Sequence, residues 1–293
     1  MLRIADQAPE KWKPKQCIEA TTAVFSEMAG NGSQKIAKHI ISSLAPFSPG
    51  SVIHDNACGK GIVAKEIVAL PPKNTQDMSV YATDLAPAMV EECQALAAEK
   101  GWIAPPKELK SELMAMQDLT FPDETFSHSI TNFAIFALPD NEAVRAASHI
   151  RRTLRKGGVA IISLWAESPI AETLQYVHNT TRSRTDCLPL FTRLYWQEAL
   201  HIKKVLMEAG FEEDRIKMRQ EEVYVDIADL ERWSQIAWTL AGRPAEGWQE
   251  GDEERWGDAT AMLREGVRKS KGFRVDEDGS HIRCMVNIAI AEK

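Results

Sequence analysis

Between Ser51 and Trp165 the chain alternates short apolar runs with amphipathic helical ones, and this alternation limits the fold more than any other feature. Ser51-Val52-Ile53-His54 reads as a strand that delivers the chain into the turn Ala57-Cys58-Gly59-Lys60-Gly61. A helix follows with Val63, Ile67 and Leu70 on one face, and Pro71-Pro72 stops it. Val80-Tyr81-Ala82-Thr83 is a second strand, ending at Asp84. The next helix starts near Pro87, a residue favoured in a first turn, and buries Met89, Cys93 and Leu96. Residues 111–116 and 128–135 supply two more strands. Asp140 opens a helix striped by Ala143, Ala147, Ile150 and Leu154, with Gly157-Gly158 as its end, and residues 158–165 form a buried strand. Such alternation predicts an α/β fold, with a mostly parallel sheet covered by helices on both faces.

Outside this stretch the rhythm changes. Residues 15–45 read as two helices broken at Gly30-Asn31-Gly32-Ser33. Further on, the pattern gives a helix over 196–209, a strand near 215–225 and a helix from Asp226 to Leu240. Residues 243–258, rich in Gly, acid and Trp, read as a loop or lid edge, with the acid run Glu250–Glu254 as a solvated face. Ile282, Cys284, Val286, Ile288 and Ile290 alternate as a final strand, antiparallel at the sheet's end. A length of 293 residues would allow two domains. The pattern instead assigns one domain: a helical cap over 1–50, a core over 51–165, a lid over 166–280 and a terminal strand over 281–293.

Composition removes several function classes. A net charge of −7 speaks against a nucleic-acid partner, which requires a basic face. No run approaches the roughly 18 apolar residues of a membrane span, and the polar start lacks the apolar centre of a secretory signal. Five scattered cysteines, never spaced C-x-x-C, predict neither a disulfide framework nor a metal site. A cytoplasmic protein, monomer or homodimer, is expected.

The turn at 57–61 is the candidate ligand loop, because open α/β sheets bind ligands at the carboxyl edge. Gly59 and Gly61 leave room for close backbone approach; the bland alternative is a turn that needs positive φ and nothing more. Asp84 ends the next strand, 23 residues after Gly61. A carboxylate there accepts the hydroxyls of a ribose, or else caps the following helix. Gly59-Lys60-Gly61-Ile62-Val63-Ala64 also fits the dinucleotide pattern Gly-x-Gly-x-x-Gly/Ala, which leaves NAD open as the ligand.

Four motifs in order resemble class I S-adenosylmethionine-dependent methyltransferases of the ubiquinone and menaquinone biosynthesis type. They are Asp55-Asn56-Ala57-Cys58-Gly59-Lys60-Gly61, Asp84-Leu85-Ala86-Pro87-Ala88-Met89, Asp118-Leu119-Thr120-Phe121-Pro122-Asp123-Glu124-Thr125-Phe126 and Leu154-Arg155-Lys156-Gly157-Gly158. The first is also similar to stand-alone fungal methyltransferases of secondary metabolism, such as the gliotoxin bis-thiomethyltransferase type. The resemblance implies a Rossmann-like sheet with an antiparallel terminal strand, and N- and C-terminal helical lid elements. It implies S-adenosyl-L-methionine as cofactor, with Asp55, Asn56 and the loop 57–61 at its methionine end and Asp84 at its ribose. Leu85 and Met89 flank that acid. Asn132 and Phe133 would line the pocket beneath the sulfonium. Two departures stand out: Ala57 replaces a glycine, tolerable if φ stays negative, and Ala115 replaces an adenine-binding acid. Adenine would then rest on Ala115, Met116 and Gln117.

Methyl transfer is an in-line displacement, so positioning and exclusion of water dominate, and no particular catalytic side chain is required. His178, His201 and His128 are the candidate bases, with Tyr176 and Tyr195 as hydrogen-bond donors; ordinary structural histidines are the competing explanation. Trp12, Phe25, Phe136 and Trp165, with Phe133, are the candidate aromatic walls of an acceptor pocket. Thr131-Asn132-Phe133-Ala134 lacks the Pro-Pro signature of amino-methylating nucleic-acid enzymes, which favours a small-molecule acceptor. A nicotinamide-dependent oxidoreductase and a cofactor-binding regulator without turnover are the two alternatives.

Overall fold

The computed structural model describes residues 12–71, 77–105, 107–189 and 194–293. Two short helices, α1 (Thr22–Ala29) and α2 (Gly32–Leu44), precede the sheet. Gly30, at φ 59, turns the chain between them, as the sequence led us to expect. The core then runs β1 (Val52–Asn56), α3 (Ile62–Val68), β2 (Met78–Asp84), α4 (Pro87–Lys100), β3 (Ile103–Ala104), β4 (Lys107–Leu113), β5 (Phe126–Asn132), α5 (Asp140–Thr153) and β6 (Leu154–Glu167). After it come α6 (Pro169–Arg182), α7 (Ala199–Glu208), β7 (Ile216–Ile227), α8 (Leu230–Ala241), α9 (Glu250–Glu254), α10 (Trp256–Arg268), β8 (Arg274–Asp276) and β9 (Gly279–Glu292).

The strands order as β3-β4-β2-β1-β5-β6-β9-β7, with β8 pairing β9. From β4 to β6 every pairing is parallel, while β9 runs antiparallel to both β6 and β7. The parallel core places the carboxyl ends of β1, β2, β5 and β6 along one edge, where the glycine turn lies. One apolar layer joins Ile36, Ile40, Ile53, Ile67, Cys93 and Ile130 with the tryptophans of α8 and α10. The opposite layer joins Phe126, Ile150, Leu154, Ile202, Leu206 and Phe211.

His54 illustrates how β1 serves both layers. Its neighbour Ile53 packs in the first, whereas the His54 ring stacks on Phe126 at 4.7 Å in the second. Nε2 lies 2.9 Å from Thr83 Oγ1 and Nδ1 3.3 Å from Ser129 Oγ, so the ring is satisfied as a neutral group. Burial pushes its pKa down to about 3. The unfolded chain therefore binds a proton that the fold refuses, and this stabilising contribution is complete above pH ~6.5 and lost as pH falls toward 3. The stability advantage of wild type over His54→Gln should narrow by about 1.4 kcal/mol per pH unit below 6.5, measured by urea unfolding.

Several boundaries differ from the sequence reading. β4 occupies 107–113 rather than 111–116, because pairing with β2 extends Lys107-Glu108 into the ladder. β7 continues to Ile227, paired to Ser280, so α8 starts only at Leu230, capped by the Asp229 carboxylate. The span 196–209 is a 3₁₀ turn, Leu194–Gln197, followed by α7. Leu154 opens β6 instead of continuing α5; Gly157 and Gly158 lie within the strand and exchange backbone bonds with Lys293. Residues 243–258 are not simply a loop. Gln249 and Asp252 form a capping box for α9, and α10 buries Trp256, Ala259, Leu263 and Val267.

Asp252 also corrects the solvated-face reading of the acid run. It is buried and accepts a bond from Arg182 Nε at 2.7 Å. Arg182 also donates to the Gly242 carbonyl at 2.9 Å, and its guanidinium lies 4.8 Å from the Trp238 ring and 5.4 Å from the Trp248 ring. One cation thus pins α6, α8 and α9 together. The N-terminal segment joins this layer: Lys15 N–H donates to Glu253, Ile18 N–H to Thr239, and the Trp233 indole to the Met28 carbonyl.

Candidate cofactor site

The turn after β1 is shaped by three residues in the left-handed region: Ala57 (φ 55), Gly59 (φ 52) and Gly61 (φ 67). The negative φ expected at Ala57 is not observed. An alanine there carries roughly 1–2 kcal/mol of strain that glycine would avoid, a cost typical of functional turns. Gly61 is needed twice over, since a Cβ would also lie 2.8 Å from Cys93 Sγ. A Cβ at Gly59 would meet nothing within 4 Å, so that side of the turn faces open space.

Two carboxylates hold this turn. Asp55 is buried, and its Oδ2 accepts the Ala64 N–H of α3 at 3.0 Å. Burial raises its pKa to about 7; the Ala64 bond works against that rise and the Asp84 charge adds to it. Asp84 Oδ2 accepts the Gly59 N–H and Oδ1 the Ala86 N–H, both at 2.9 Å. The local capping role is therefore real. Each oxygen keeps a second lone pair for a further donor. Leu85 and Leu113, both exposed, flank Asp84, and the Met114 N–H donates to the Asp84 carbonyl. Ala115, Met116 and Gln117 follow, half-buried, with Met116 packed on the second apolar layer. Met89, in the first turn of α4, is buried in the core.

Asn56 is fully buried; its amide donates to Thr131 Oγ1 at 3.2 Å while its Oδ1 has no hydrogen-bond partner among the described residues. At the ends of β5 and β6, Ser163 Oγ donates to Asn132 Oδ1 at 2.6 Å, and Asn132 Nδ2 donates to the Ser33 carbonyl at 3.2 Å. Phe133 adopts φ 52, and its ring stacks on Trp165 at 4.3 Å. A Cβ at Gly32 would stand 2.9 Å from the Trp165 ring, so α2 closes directly over that pair. Asn132, Phe133 and Trp165 thus come together with Ser33 and Ser163. The last two were missed because an isolated serine carries no sequence signal.

The other candidates lie elsewhere. Phe136 packs on the second apolar layer, Phe25 is half-buried on α1, and Trp12 is exposed beside the segment bonded to Glu253. His128 sits in the first half of β5, edge-on to Phe47 and away from Asn132. His178 is fully buried, 2.7 Å from Arg182 Nη1, and burial followed by the Arg182 charge lowers its pKa. His201 lies between the Tyr195 and Trp196 rings, 3.5 Å from Asp140. Tyr176 is exposed on α6, and the Tyr195 hydroxyl donates to Asp140. The structure therefore gives these histidines structural surroundings away from the turn.

Residues 53–158 match a family described as a methyltransferase domain. The fold is similar to that of a candidate methyltransferase from Bacillus halodurans C-125. That protein shares 16% identity at a TM-score of 0.53, with 87% of this chain and 98% of that one covered. YcgJ of Bacillus subtilis is similar in fold at 16% identity and a TM-score of 0.51, covering 88% and 99%. The fold is that of a class I methyltransferase. Uncharacterised proteins of Mycobacterium tuberculosis and Mycobacterium bovis are 30% identical over 126 residues, 43% of this chain. The matched stretch is 41% of those relatives' length. Among the described residues, no helix is long and apolar enough to cross a membrane.

Proposed function

We propose that this methyltransferase-fold chain uses S-adenosylmethionine to methylate an O, N or S nucleophile of a small organic molecule, a secondary metabolite, in the cytoplasm. The observation that carries this reading is Asp84, which pins the glycine turn through Gly59 while keeping a lone pair on each oxygen. The surroundings fit such a cofactor. The unpartnered Asn56 Oδ1, the open side of Gly59 and the buried Asp55 carboxyl are groups that a cationic, hydroxyl-bearing ligand would satisfy. Asp55, Asn56 and residues 57–61 would hold the methionine end, Asp84 the ribose hydroxyls, and Leu85, Leu113 and residues 115–117 the adenine.

When bound, the cofactor supplies a methyl group already activated as a sulfonium. The chain's task is then alignment and exclusion of water. Asn132, fixed between Ser163 and Ser33, holds the end of β5 rigid. Phe133 and Trp165 form an apolar aromatic wall. With the three candidate histidines engaged in packing, the site suits a nucleophile that needs little deprotonation, such as a thiol or a neutral amine. No metal is required. The chain acts as a monomer or homodimer on a small-molecule partner.

Calorimetry with S-adenosylmethionine, S-adenosylhomocysteine and NAD tests the reading directly. The two sulfur compounds should bind and NAD should not; binding of NAD alone would overturn it. Asp84→Ala should weaken S-adenosylhomocysteine by at least about a hundredfold, since two charge-assisted bonds and the anchor of Gly59 go together. A mass-spectrometric screen of small nucleophiles would then identify the acceptor.

A further inference from the structure

The glycine turn also contains a thiol that binding does not explain. Cys58 Sγ lies 3.5 Å from Cys93 Sγ, and both side chains are buried. We propose that Cys58 and Cys93 form a redox-active dithiol that a hydroperoxide closes to a disulfide, and that closure pulls the turn away from Asp84. The second half rests on reading this turn as the cofactor's seat.

A disulfide requires sulfurs about 2.05 Å apart, so the two must approach by roughly 1.5 Å. Cys93 sits in the middle of α4, a 14-residue helix, which holds it still. The movable partner is the turn. It contains Gly59 and Gly61, and a Cβ at Gly61 would lie 2.8 Å from Cys93 Sγ. Cys58 Sγ also contacts the Gly59 carbonyl at 3.5 Å. Drawing Cys58 toward α4 therefore moves the peptide whose N–H is bonded to Asp84.

The chemistry balances with a hydroperoxide as oxidant. Cys58, the less buried thiol, attacks the terminal peroxide oxygen. The O–O bond breaks, an alcohol leaves with the thiol's proton, and Cys58 becomes a sulfenic acid. The Cys93 sulfur then attacks Cys58, forming the S–S bond and expelling hydroxide, which leaves as water with the Cys93 proton. At rest, the hydrogen bond that the Cys58 thiol shares with Cys93 and its burial push the Cys58 thiol up, so it stays protonated. Oxidation is accordingly slow, and proceeds when the turn opens.

The test treats the full chain with hydrogen peroxide, alkylates it after unfolding and maps the peptides by mass spectrometry. Peptides bearing Cys58 and Cys93 should be linked in wild type and unlinked in Cys93→Ala. Oxidation should weaken S-adenosylhomocysteine about tenfold or more, as expected for losing a bond to a charged group, and dithiothreitol should restore it. Cys93→Ala should keep its affinity through the same treatment. Separate alkylation of the two thiols in wild type would overturn the dithiol, and a linked protein of unchanged affinity would overturn its effect on binding. Failure of the reduced wild type to bind would instead sink the cofactor reading and the binding half with it, while the linked peptides decide the dithiol on their own.

Discussion

Asp55→Asn should make the ligand-free protein more stable at pH 8 while abolishing its affinity for S-adenosylhomocysteine. The carboxyl is buried, and its pKa is raised to about 7 from an ordinary 3.8. The folded state thus holds a proton that the unfolded chain releases between those values. Stability contributed by this proton is full below pH ~4 and lost as pH rises through 7. Above pH 7 the fold buries an anion at a cost on the order of 4 kcal/mol, which an asparagine avoids while its oxygen still receives the Ala64 N–H. A cationic methionyl group needs that anion, so affinity in wild type should rise with pH up to about 7 and then level.

His54 titrates in the opposite sense over an overlapping window. In wild type the two slopes largely offset between pH 6.5 and 4. In Asp55→Asn the His54 loss stands alone, so stability should fall by about 1.4 kcal/mol per pH unit on acidification. Urea unfolding across pH 4–8 measures both effects. A variant no more stable than wild type at pH 8 would show that Asp55 is already charged at no cost.

Arg182→Ala should destabilise the chain by about 3–5 kcal/mol, the range for removing one partner of a buried ion pair. The change strands the Asp252 carboxylate and frees the Gly242 carbonyl. It also removes the cation seated against Trp238 and Trp248. Arg182→Lys should recover little, because an ammonium cannot reproduce the planar fork that reaches both acceptors. Replacing the pair together, Arg182→Met with Asp252→Leu, should cost less than the single change. Thermal unfolding would separate these outcomes, and an Arg182→Ala variant within 1 kcal/mol of wild type, about the worth of an exposed pair, would refute the buried-hub role.

The sheet was legible because its central strands are either largely apolar or alternate strictly. Val80 to Ala82, Ile161 to Leu164 and Ile282 to Ile290 could hardly be anything else. β4 was harder: Lys107-Glu108-Leu109-Lys110 has a single buried side chain, Leu109, and its place follows from pairing with β2. α10 escaped notice because Gly257 and the acids before it resemble a loop, although Trp256, Ala259, Leu263 and Val267 keep a helical spacing. At the candidate site, Asp55, Asp84 and the glycines were visible as a motif. Ser33 and Ser163 were not, since their value arises from a carbonyl and an amide brought together by distant segments. The histidines misled for the converse reason: a titratable ring is conspicuous in sequence whether it faces a ligand or, like His178, an arginine in the core.

The position of β9 has a consequence for how the chain reaches its native state. This strand, the last in chain order, lies between β6 and β7 and is the only described strand that joins them. β7 therefore has no partner in the sheet until β9 arrives, and β6 keeps one bare edge while more than a hundred residues are threaded past it. Long-range pairing of this kind is slow and leaves an adhesive ladder uncovered in the meantime. The parallel half from β4 to β6 needs no such wait. Assembly should proceed in two stages, with the edge that carries the glycine turn organised before the strand that locks the sheet is in place.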